Sequence, residues 1–230
     1  MLVPFVGYLE VADIGGHEGV FSNYTLPTAA WSTVVGLPYA LGPIFAFADP
    51  GNGIPAVWSS VGGLLAVPLV VLAVLGLFGR RERGLRILLG AWVAFCLAKT
   101  FGPHWFLRLV NHLPGMDSAA FYRYMSPALS MAVIVLAAFA IDDLVRGEAR
   151  RRQVGLAGGV MAGLLLIGWL AARGPAGAAP GAHRYLVGSL LWAVAVVAVV
   201  VGIALFARGR VLVLVLCAVV AVDVMATFGV

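Results

Sequence analysis

Residues able to do chemistry gather in one segment of the chain, 99–125, between two long apolar stretches. Four polar residues in it stand at offsets of 0, 4, 7 and 8: His104, Arg108, Asn111 and His112. That spacing predicts one polar stripe along a short amphipathic helix, with apolar side chains around the rest. We expect this helix to lie in the outer membrane interface, where Trp105 suits the depth of the lipid head groups. The same stripe also fits side chains that merely face water and head groups.

The cations of this segment favour an anionic ligand. Lys99 lies inside the outer end of an apolar span, where an unpaired ammonium costs about 1–3 kcal/mol, and Arg123 stands between two tyrosines at the start of the next span. Arginine offers phosphate a bidentate fork and lysine a compact charge, and Asp117 could order these cations or accept a sugar hydroxyl. The sequence therefore predicts a site for a phosphate or diphosphate head group. Its candidate residues are Lys99, His104, Arg108, His112, Asp117 and Arg123.

No complete catalytic or metal-binding signature accompanies this site. The sequence contains no HExxH, GxSxG or Walker pattern, so it predicts no catalytic base, no metal ion and no cofactor. Cys96 and Cys217 stand within apolar runs, which predicts two small buried side chains and no disulfide. Asp223, inside the last apolar span, is a weaker functional candidate, since it could simply reach water. A solvated loop is the plainer interpretation of the acidic group Glu10, Asp13, His17 and Glu18.

The composition identifies the surroundings of these residues as a membrane. Of the 230 residues, 62% are hydrophobic and 11% are charged, and the mean hydropathy is +1.03. A soluble domain has about 25% charged residues, so this chain has too little polar surface to cover a water-soluble globule. A composition rich in Ala, Val and Gly, with a single lysine, is typical of a bacterial protein.

Ten of the fifteen basic residues fall in three short clusters between apolar stretches. Nucleic-acid binding needs a continuous basic face with polar or aromatic readers, so this distribution argues against a nucleic-acid partner. Basic clusters between spans are instead typical of cytoplasmic loops. The clusters are Arg80, Arg81, Arg83 and Arg86; Arg146, Arg150, Arg151 and Arg152; and Arg208 and Arg210.

Apolar windows of about twenty residues, the length that crosses roughly 30 Å of hydrocarbon, predict six transmembrane helices. They lie near 57–79, 85–102, 126–145, 154–172, 185–206 and 210–229. If the basic turn at 80–86 is cytoplasmic, alternation places every basic cluster in the cytoplasm and the C-terminus outside. We therefore expect an all-α polytopic helix bundle in the bacterial cytoplasmic (inner) membrane, with a six-helix transmembrane domain at 57–230.

Residues 1–56 are predicted to form an external N-terminal segment. Residues 1–25 carry acids and no basic residue, unlike a signal peptide or a cytoplasmic tail. The stretch 26–48 is apolar but contains three prolines, each of which removes a helical hydrogen bond. We interpret it as a re-entrant or interfacial element. Because no insertion signal precedes it, we expect the chain to be the later part of a longer protein.

Local signals predict where some helices begin and how they pack. Ser126-Pro127 is typical of a helix start, and the Gly/Pro/Ala-rich stretch 173–184 is typical of a flexible connector. Three glycines at four-residue spacing predict a flat face for close helix packing: Gly155, Gly159 and Gly163. The acids near the second basic cluster predict a solvated, mixed-charge turn: Asp142, Asp143 and Glu148.

The run 113–144 contains a Leu-Pro-Gly turn, an aromatic-Arg pair, a proline, and an Ala/Leu-rich span that ends in an Ile-Asp pair. These are Leu113-Pro114-Gly115, Tyr122-Arg123, Pro127 and Ile141-Asp142. The pattern resembles a stretch of the YfhO-type bacterial membrane proteins, which are relatives of the GT-C glycosyltransferases. The resemblance extends over about residues 26–145, where the arginine turn and the proline-containing stretch follow the family's order.

This resemblance implies a membrane enzyme that transfers a sugar from a polyprenyl-phosphate carrier at its external face, with Arg123 contacting the carrier phosphate. Family members have many more spans, and their catalytic acid lies in a first large external loop that has no counterpart here. The resemblance therefore implies a partial or shortened member that lacks the catalytic base, with a polyprenyl-phosphate-sugar lipid as its partner.

Two other functions are compatible with the sequence. A non-catalytic membrane scaffold would dock a membrane protein partner through the glycine face and the charged outer loop. A small transporter is less favoured, because transporters usually carry polar residues at mid-membrane and the spans 126–141 and 185–206 contain almost none.

Overall fold

The computed structural model describes residues 65–113, 116, 121–178, 182–207 and 209–228. This part of the chain contains seven helices and no strand. Four of the helices are long and apolar enough to cross a membrane: α2, α4, α5 and α6. Helix α1 and the stretch Val211–Ala226 of α7 are shorter apolar helical segments. The helices are α1 Val67–Gly76, α2 Arg83–Phe101, α3 His104–Asn111, α4 Phe121–Val145, α5 Arg151–Ala178, α6 Ala182–Phe206 and α7 Gly209–Phe228.

The predicted all-α membrane bundle is thus confirmed, and the protein is a polytopic helical membrane protein. Five of the six predicted spans coincide with α2, α4, α5, α6 and α7. The first, 57–79, overlaps α1, although its residues before Leu65 lie outside the described part. The N-terminal segment 1–56, with the stretch 26–48, also lies outside the described residues.

Two predicted helix boundaries are wrong. Helix α4 begins at Phe121, so Ser126 does not start it and Pro127 lies inside it. Pro127 is the seventh residue of this 25-residue helix, so it removes one helical hydrogen bond, a local loss within a helix whose other turns remain. The predicted connector at 173–184 is mostly helical, because α5 continues to Ala178 and α6 begins at Ala182. The extension of α5 contains Gly174, Pro175 and Gly177, which are poor helix formers, so its helical conformation follows from continuation of a helix already formed and not from local preference.

Helix α1 occupies the centre of the bundle. It is apolar on every side, and it packs against α4, α5, α6 and α7. A helix without a polar face belongs in an interior, and the side chains of Val67, Val71 and Leu72 are almost completely buried. At its C-terminal end, Gly76 crosses α4 so closely that a Cβ there would overlap the carbonyl oxygen of Leu136. Four of the other helices, α4 to α7, are therefore arranged around α1.

A buried ion pair lies beneath the C-terminal end of α1. The guanidinium of Arg86 in α2 contacts both carboxylate oxygens of Asp143 in α4, at 2.7 and 2.9 Å. It also donates to the carbonyls of Gly76 and Arg81, each at 2.6 Å, and lies 4.6 Å from the centre of the Phe139 ring. Both charged side chains are at least 94% buried. The predicted solvated turn is therefore wrong for Asp143.

The neighbouring acid behaves as the sequence predicts. Asp142 lies on the surface, where its carboxylate accepts two hydrogen bonds from Arg146, at 2.8 and 2.9 Å, and lies 4.0 Å from Arg81. Adjacent aspartates thus have opposite environments. A helix turns by about 100° per residue, so one faces the bundle while the other faces solvent.

A second buried acid satisfies the N-terminal end of α1. Asp223 of α7 accepts a hydrogen bond from the backbone N–H of Val67 at 2.9 Å, and another from the indole of Trp192 in α6 at 2.7 Å. Only 1% of its surface is exposed, so the expectation that it could reach water is wrong. The carboxylate holds α1, α6 and α7 together within the bundle.

The first two basic clusters lie at one end of the bundle, called here the basic end and formed by the turn 77–82 and the loop 146–150. Gln153 of α5 donates to the carbonyl of Phe78 across this end, at 2.9 Å. Gly158 of α5 faces Val201 of α6, so the C-terminal part of α6 lies toward the same end. Consecutive apolar helices therefore alternate in direction.

We expect Gly76→Val to destabilise the protein by about 1–3 kcal/mol, the usual cost of overpacking a close contact. The added methyl groups would force α1 away from α4. The free energy of unfolding, measured by denaturant titration in detergent micelles, tests this. Gly159→Val is the matched control, because no described atom outside its local backbone lies within 4 Å of a Cβ at that position. Equal losses in both variants would contradict the close crossing.

The ion pair has an equally specific consequence. We expect Asp143→Leu to cost about 3–5 kcal/mol, because it leaves the charge of Arg86 buried without its partner. The double variant Arg86→Met/Asp143→Leu should regain much of this loss, since neither charge then remains. Asp142→Leu is the control, and loss of that exposed pair should cost no more than about 1 kcal/mol. Additive single losses in the double variant would show that the two groups are not coupled.

Candidate functional site at the junction of α2 and α3

The predicted amphipathic helix is present as α3, His104–Asn111, directly after the kink at Gly102 and Pro103. His104 and Arg108 of α3 are exposed, and so is His112, which directly follows the helix. Residues four positions apart lie on one side of a helix, so their side chains form one stripe, called here the polar stripe. Nδ1 of His112 lies 2.5 Å from the carbonyl oxygen of Arg108, which closes the end of the helix.

A second exposed stripe of α3 is apolar. Trp105, Leu109 and Leu113 expose 68%, 64% and 52% of their surfaces, whereas Leu107 and Val110 are buried against the bundle. A helix with adjacent polar and apolar exposed sides is suited to a membrane interface, where one side meets head groups and the other meets acyl chains. The geometry therefore agrees with the interfacial position predicted for α3.

Aromatic contacts and one buried ammonium hold α3 against α2. The Phe106 ring packs edge-on against Phe95 of α2, with centroids 6.1 Å apart. Nζ of Lys99 donates to the side-chain oxygen of Asn111 and, at 3.3 Å, to the carbonyl oxygen of Met116. Lys99 exposes only 4% of its surface. Asn111 therefore faces Lys99 and not the polar stripe, on which its spacing had placed it.

The structure thus separates the predicted site residues into three groups. His104, Arg108 and His112 are exposed together on the polar stripe. Lys99 is buried behind α3, where its ammonium contacts Asn111 and the carbonyl of Met116. Asp117 lies outside the described residues, and Arg123 is described by its backbone only, in the first turn of α4.

An apolar groove lies beside α3 and was not predicted. It has a volume of about 400 Å³ and runs between the end of α2 and the middle of α5. Its wall includes Pro103, the residue directly before His104, at which the polar stripe begins. It could not be predicted from the sequence because its two walls are about seventy residues apart. The groove is lined by Leu97, Ala98, Phe101, Gly102, Pro103, Ile167 and Ala171.

The remaining polar candidates do not form a second centre of chemistry in the described part. Asp223 has a structural role as the partner of Val67 and Trp192. Cys96 is buried and unpaired, as predicted, whereas Cys217 is unpaired but exposed. Among the described residues, no group of three or more His, Cys, Asp or Glu side chains could hold a metal ion. The acidic N-terminal group, Glu10 to Glu18, lies outside the described residues.

The burial of Lys99 has a direct chemical test, because it is the only lysine of the chain. We expect an amine-reactive acylating reagent to modify Lys99 slowly in the folded protein and rapidly after denaturation. Asn111→Leu should accelerate labelling at least tenfold, since it removes one acceptor that holds the ammonium behind α3. Peptide mass spectrometry measures the modified fraction. Asn111→Asp is the control, since it keeps an oxygen acceptor. Rapid labelling of the unaltered folded protein would contradict the buried position.

Comparison with known proteins adds no relative. No protein-family model, no curated protein and no solved structure matches the chain. The resemblance to YfhO-type proteins therefore stays a prediction. The described part of the membrane bundle offers two features for a function: the polar stripe of the amphipathic helix α3, with the cation Arg108, and the apolar groove.

Proposed function

We propose that the protein binds a lipid phosphate at the end of the bundle opposite the basic end. The single observation behind this proposal is that the wall of the apolar groove includes Pro103, which adjoins His104 of the polar stripe in the chain. A lipid with a phosphate head group needs this combination: an apolar surface for its chain and cations for its head. Arg108 would provide a bidentate fork for the phosphate oxygens, and His104 and His112 would donate from either side of it.

The resemblance to GT-C relatives narrows the lipid to a polyprenyl phosphate or its sugar conjugate. The protein would then be a partial or shortened glycosyltransferase-like member that presents the carrier without supplying the catalytic base. In this proposal Lys99 positions α3 instead of contacting the phosphate, which modifies the role its residue type had suggested. Arg123, in the first turn of α4, remains the contact implied by the family motif.

The same proposal assigns an orientation. The basic end, with its arginine-rich turn and loop, would lie in the cytoplasm under the positive-inside rule. The polar stripe and the C-terminus would then lie on the outer side of a bacterial cytoplasmic membrane. Carrier-linked sugars are used on that side by the GT-C relatives that the sequence resembles.

A scaffold is the second candidate function, and the glycine face of α5 favours it. No described atom outside the local backbone lies within 4 Å of a Cβ built at Gly155, Gly159 or Gly163. The described helices therefore leave this face uncovered, and only Gly158, on another side, contacts α6. A flat glycine face permits close approach by a partner helix. This function predicts stoichiometric co-purification of a membrane protein and tolerance of substitutions in the polar stripe.

Native mass spectrometry of the purified protein with a polyprenyl phosphate tests the first proposal. We expect Arg108→Ala to weaken binding about tenfold or more, because a charge-assisted bond contributes about 1.5–3 kcal/mol and each 1.4 kcal/mol is a factor of ten. Ile167→Trp should weaken binding similarly, since its indole would occupy the groove. The matched controls are Arg184→Ala, an exposed arginine of α6, and Leu191→Trp, an exposed leucine of α6.

The pattern of losses distinguishes the proposals. Weaker binding in both site variants, with both controls unchanged, would support a lipid phosphate held by stripe and groove together. Equal effects in site and control variants would contradict it. Absence of carrier on every form would favour the scaffold, and Arg108 would then be an ordinary interfacial anchor.

A further inference from the structure

A second cavity lies at the basic end, where no ligand was predicted. It has a volume of about 240 Å³ and is enclosed by the α1–α2 turn on one side and the α4–α5 loop on the other. Arg80 contributes to it from the turn, and Arg150 and Glu148 contribute from the loop. Leu75 and Gln153 form part of its wall. Its size is below the range of about 300–1,000 Å³ typical of drug-sized ligands, so it suits a small head group.

The cavity has a net positive charge. Asp143 also borders it, but that carboxylate is neutralised by its two contacts with Arg86. Neither Arg80 nor Arg150 lies within 4.0 Å of a carboxylate in the described part of the chain, unlike Arg81, Arg86 and Arg146. The two positive charges of Arg80 and Arg150 and the one negative charge of Glu148 give the cavity a net charge of about +1. This balance is complementary to a monoanion.

The walls of the cavity are held together by hydrogen bonds. Gln153 donates from its side chain to the carbonyl of Phe78 and accepts from the backbone N–H of Arg150, at 2.9 and 2.8 Å. The backbone N–H groups of Glu148 and Ala149 both donate to the carbonyl of Asp143, at 2.8 and 3.2 Å. The turn and the loop are therefore cross-linked, and the two arginines are presented from a built frame.

The position of the cavity at the ends of the apolar helices is suited to lipid head groups. It stands where α1 and α4 end, and the adjoining turn exposes the apolar side chains of Leu77 and Phe78. Exposed apolar side chains beside a charged cavity at the ends of spanning helices are suited to the boundary between acyl chains and head groups. Basic pockets between transmembrane helices on the cytoplasmic side are known to hold anionic head groups.

We propose that this cavity binds the phosphodiester of a monoanionic glycerophospholipid with a hydroxylated head group, of which phosphatidylglycerol is the example. Arg80 and Arg150 hold the phosphate oxygens from the two sides of the cavity. The carboxylate of Glu148 accepts from a head-group hydroxyl, and the acyl chains pass Leu77 and Phe78 into the membrane. This site lies at the opposite end of the bundle from the polar stripe, so it does not depend on the function proposed above.

The test is competitive lipid binding to the purified full chain, with equal amounts of phosphatidylglycerol and phosphatidylcholine followed by native mass spectrometry. We expect the unaltered protein to retain phosphatidylglycerol at least tenfold over phosphatidylcholine. Arg80→Gln/Arg150→Gln should lose this preference. The matched control is Arg83→Gln/Arg152→Gln, which removes the same charge from the same two clusters, at residues that are also exposed but do not line the cavity.

The outcomes separate a built site from general attraction between charges. Loss of preference in the cavity variant alone supports the proposal, provided that its unfolding temperature equals that of the control. Equal loss in both double variants would show attraction to the basic surface as a whole and would overturn it. Displacement of phosphatidylglycerol by millimolar inorganic phosphate would identify free phosphate as the ligand and would also overturn it.

Discussion

A short helix with both ends inside a membrane protein must have its terminal backbone groups satisfied by other parts of the protein. Helix α1 has ten residues and is therefore about 15 Å long, half of the roughly 30 Å of hydrocarbon. Its first N–H groups and last carbonyls have no partner within the helix, and the adjoining turns satisfy only some of them, as where Leu77 and Phe78 donate to the carbonyls of Ala73 and Leu75. Asp223 accepts from the first of its residues, and Arg86 donates to the last. Each charge also has the sign that the helix dipole favours at that end.

These two contacts determine how the other helices are arranged. Arg86 belongs to α2, and its partner Asp143 belongs to α4, so one guanidinium joins three helices. Asp223 joins α7 to α1 and, through Trp192, to α6. Since α2 is fixed at its first turn, its other end is carried across the membrane to the place where Lys99 holds α3. The polar stripe and the apolar groove therefore depend on an ion pair at the far end of the same helix.

The sequence predicts the helices of this fold better than the contacts between them. Apolar windows depend on composition alone, so the limits of α2, α6 and α7 could be predicted within a few residues. The amphipathic spacing of His104, Arg108 and His112 likewise predicted α3 and its exposed stripe. Nothing local distinguishes Arg86 from Arg83, because the burial of Arg86 depends on Asp143, 57 residues away. The only available signal was that Arg86 and Asp143 each lie about one turn inside a predicted helix, at the same end of the predicted bundle.

The two candidate lipid sites share one arrangement of their cations. At the basic end, four arginines lie within seven residues. Arg86 is buried and has a structural role, whereas Arg80 lines a cavity. At the opposite end, Lys99 is buried and also has a structural role, whereas Arg108 is exposed. In each case a buried cation fixes the backbone that presents an exposed one. Counting charges from sequence therefore overstates the number available to a ligand. A substitution that releases a buried cation would disturb the site without touching its ligand, so binding must be compared only among variants of equal stability.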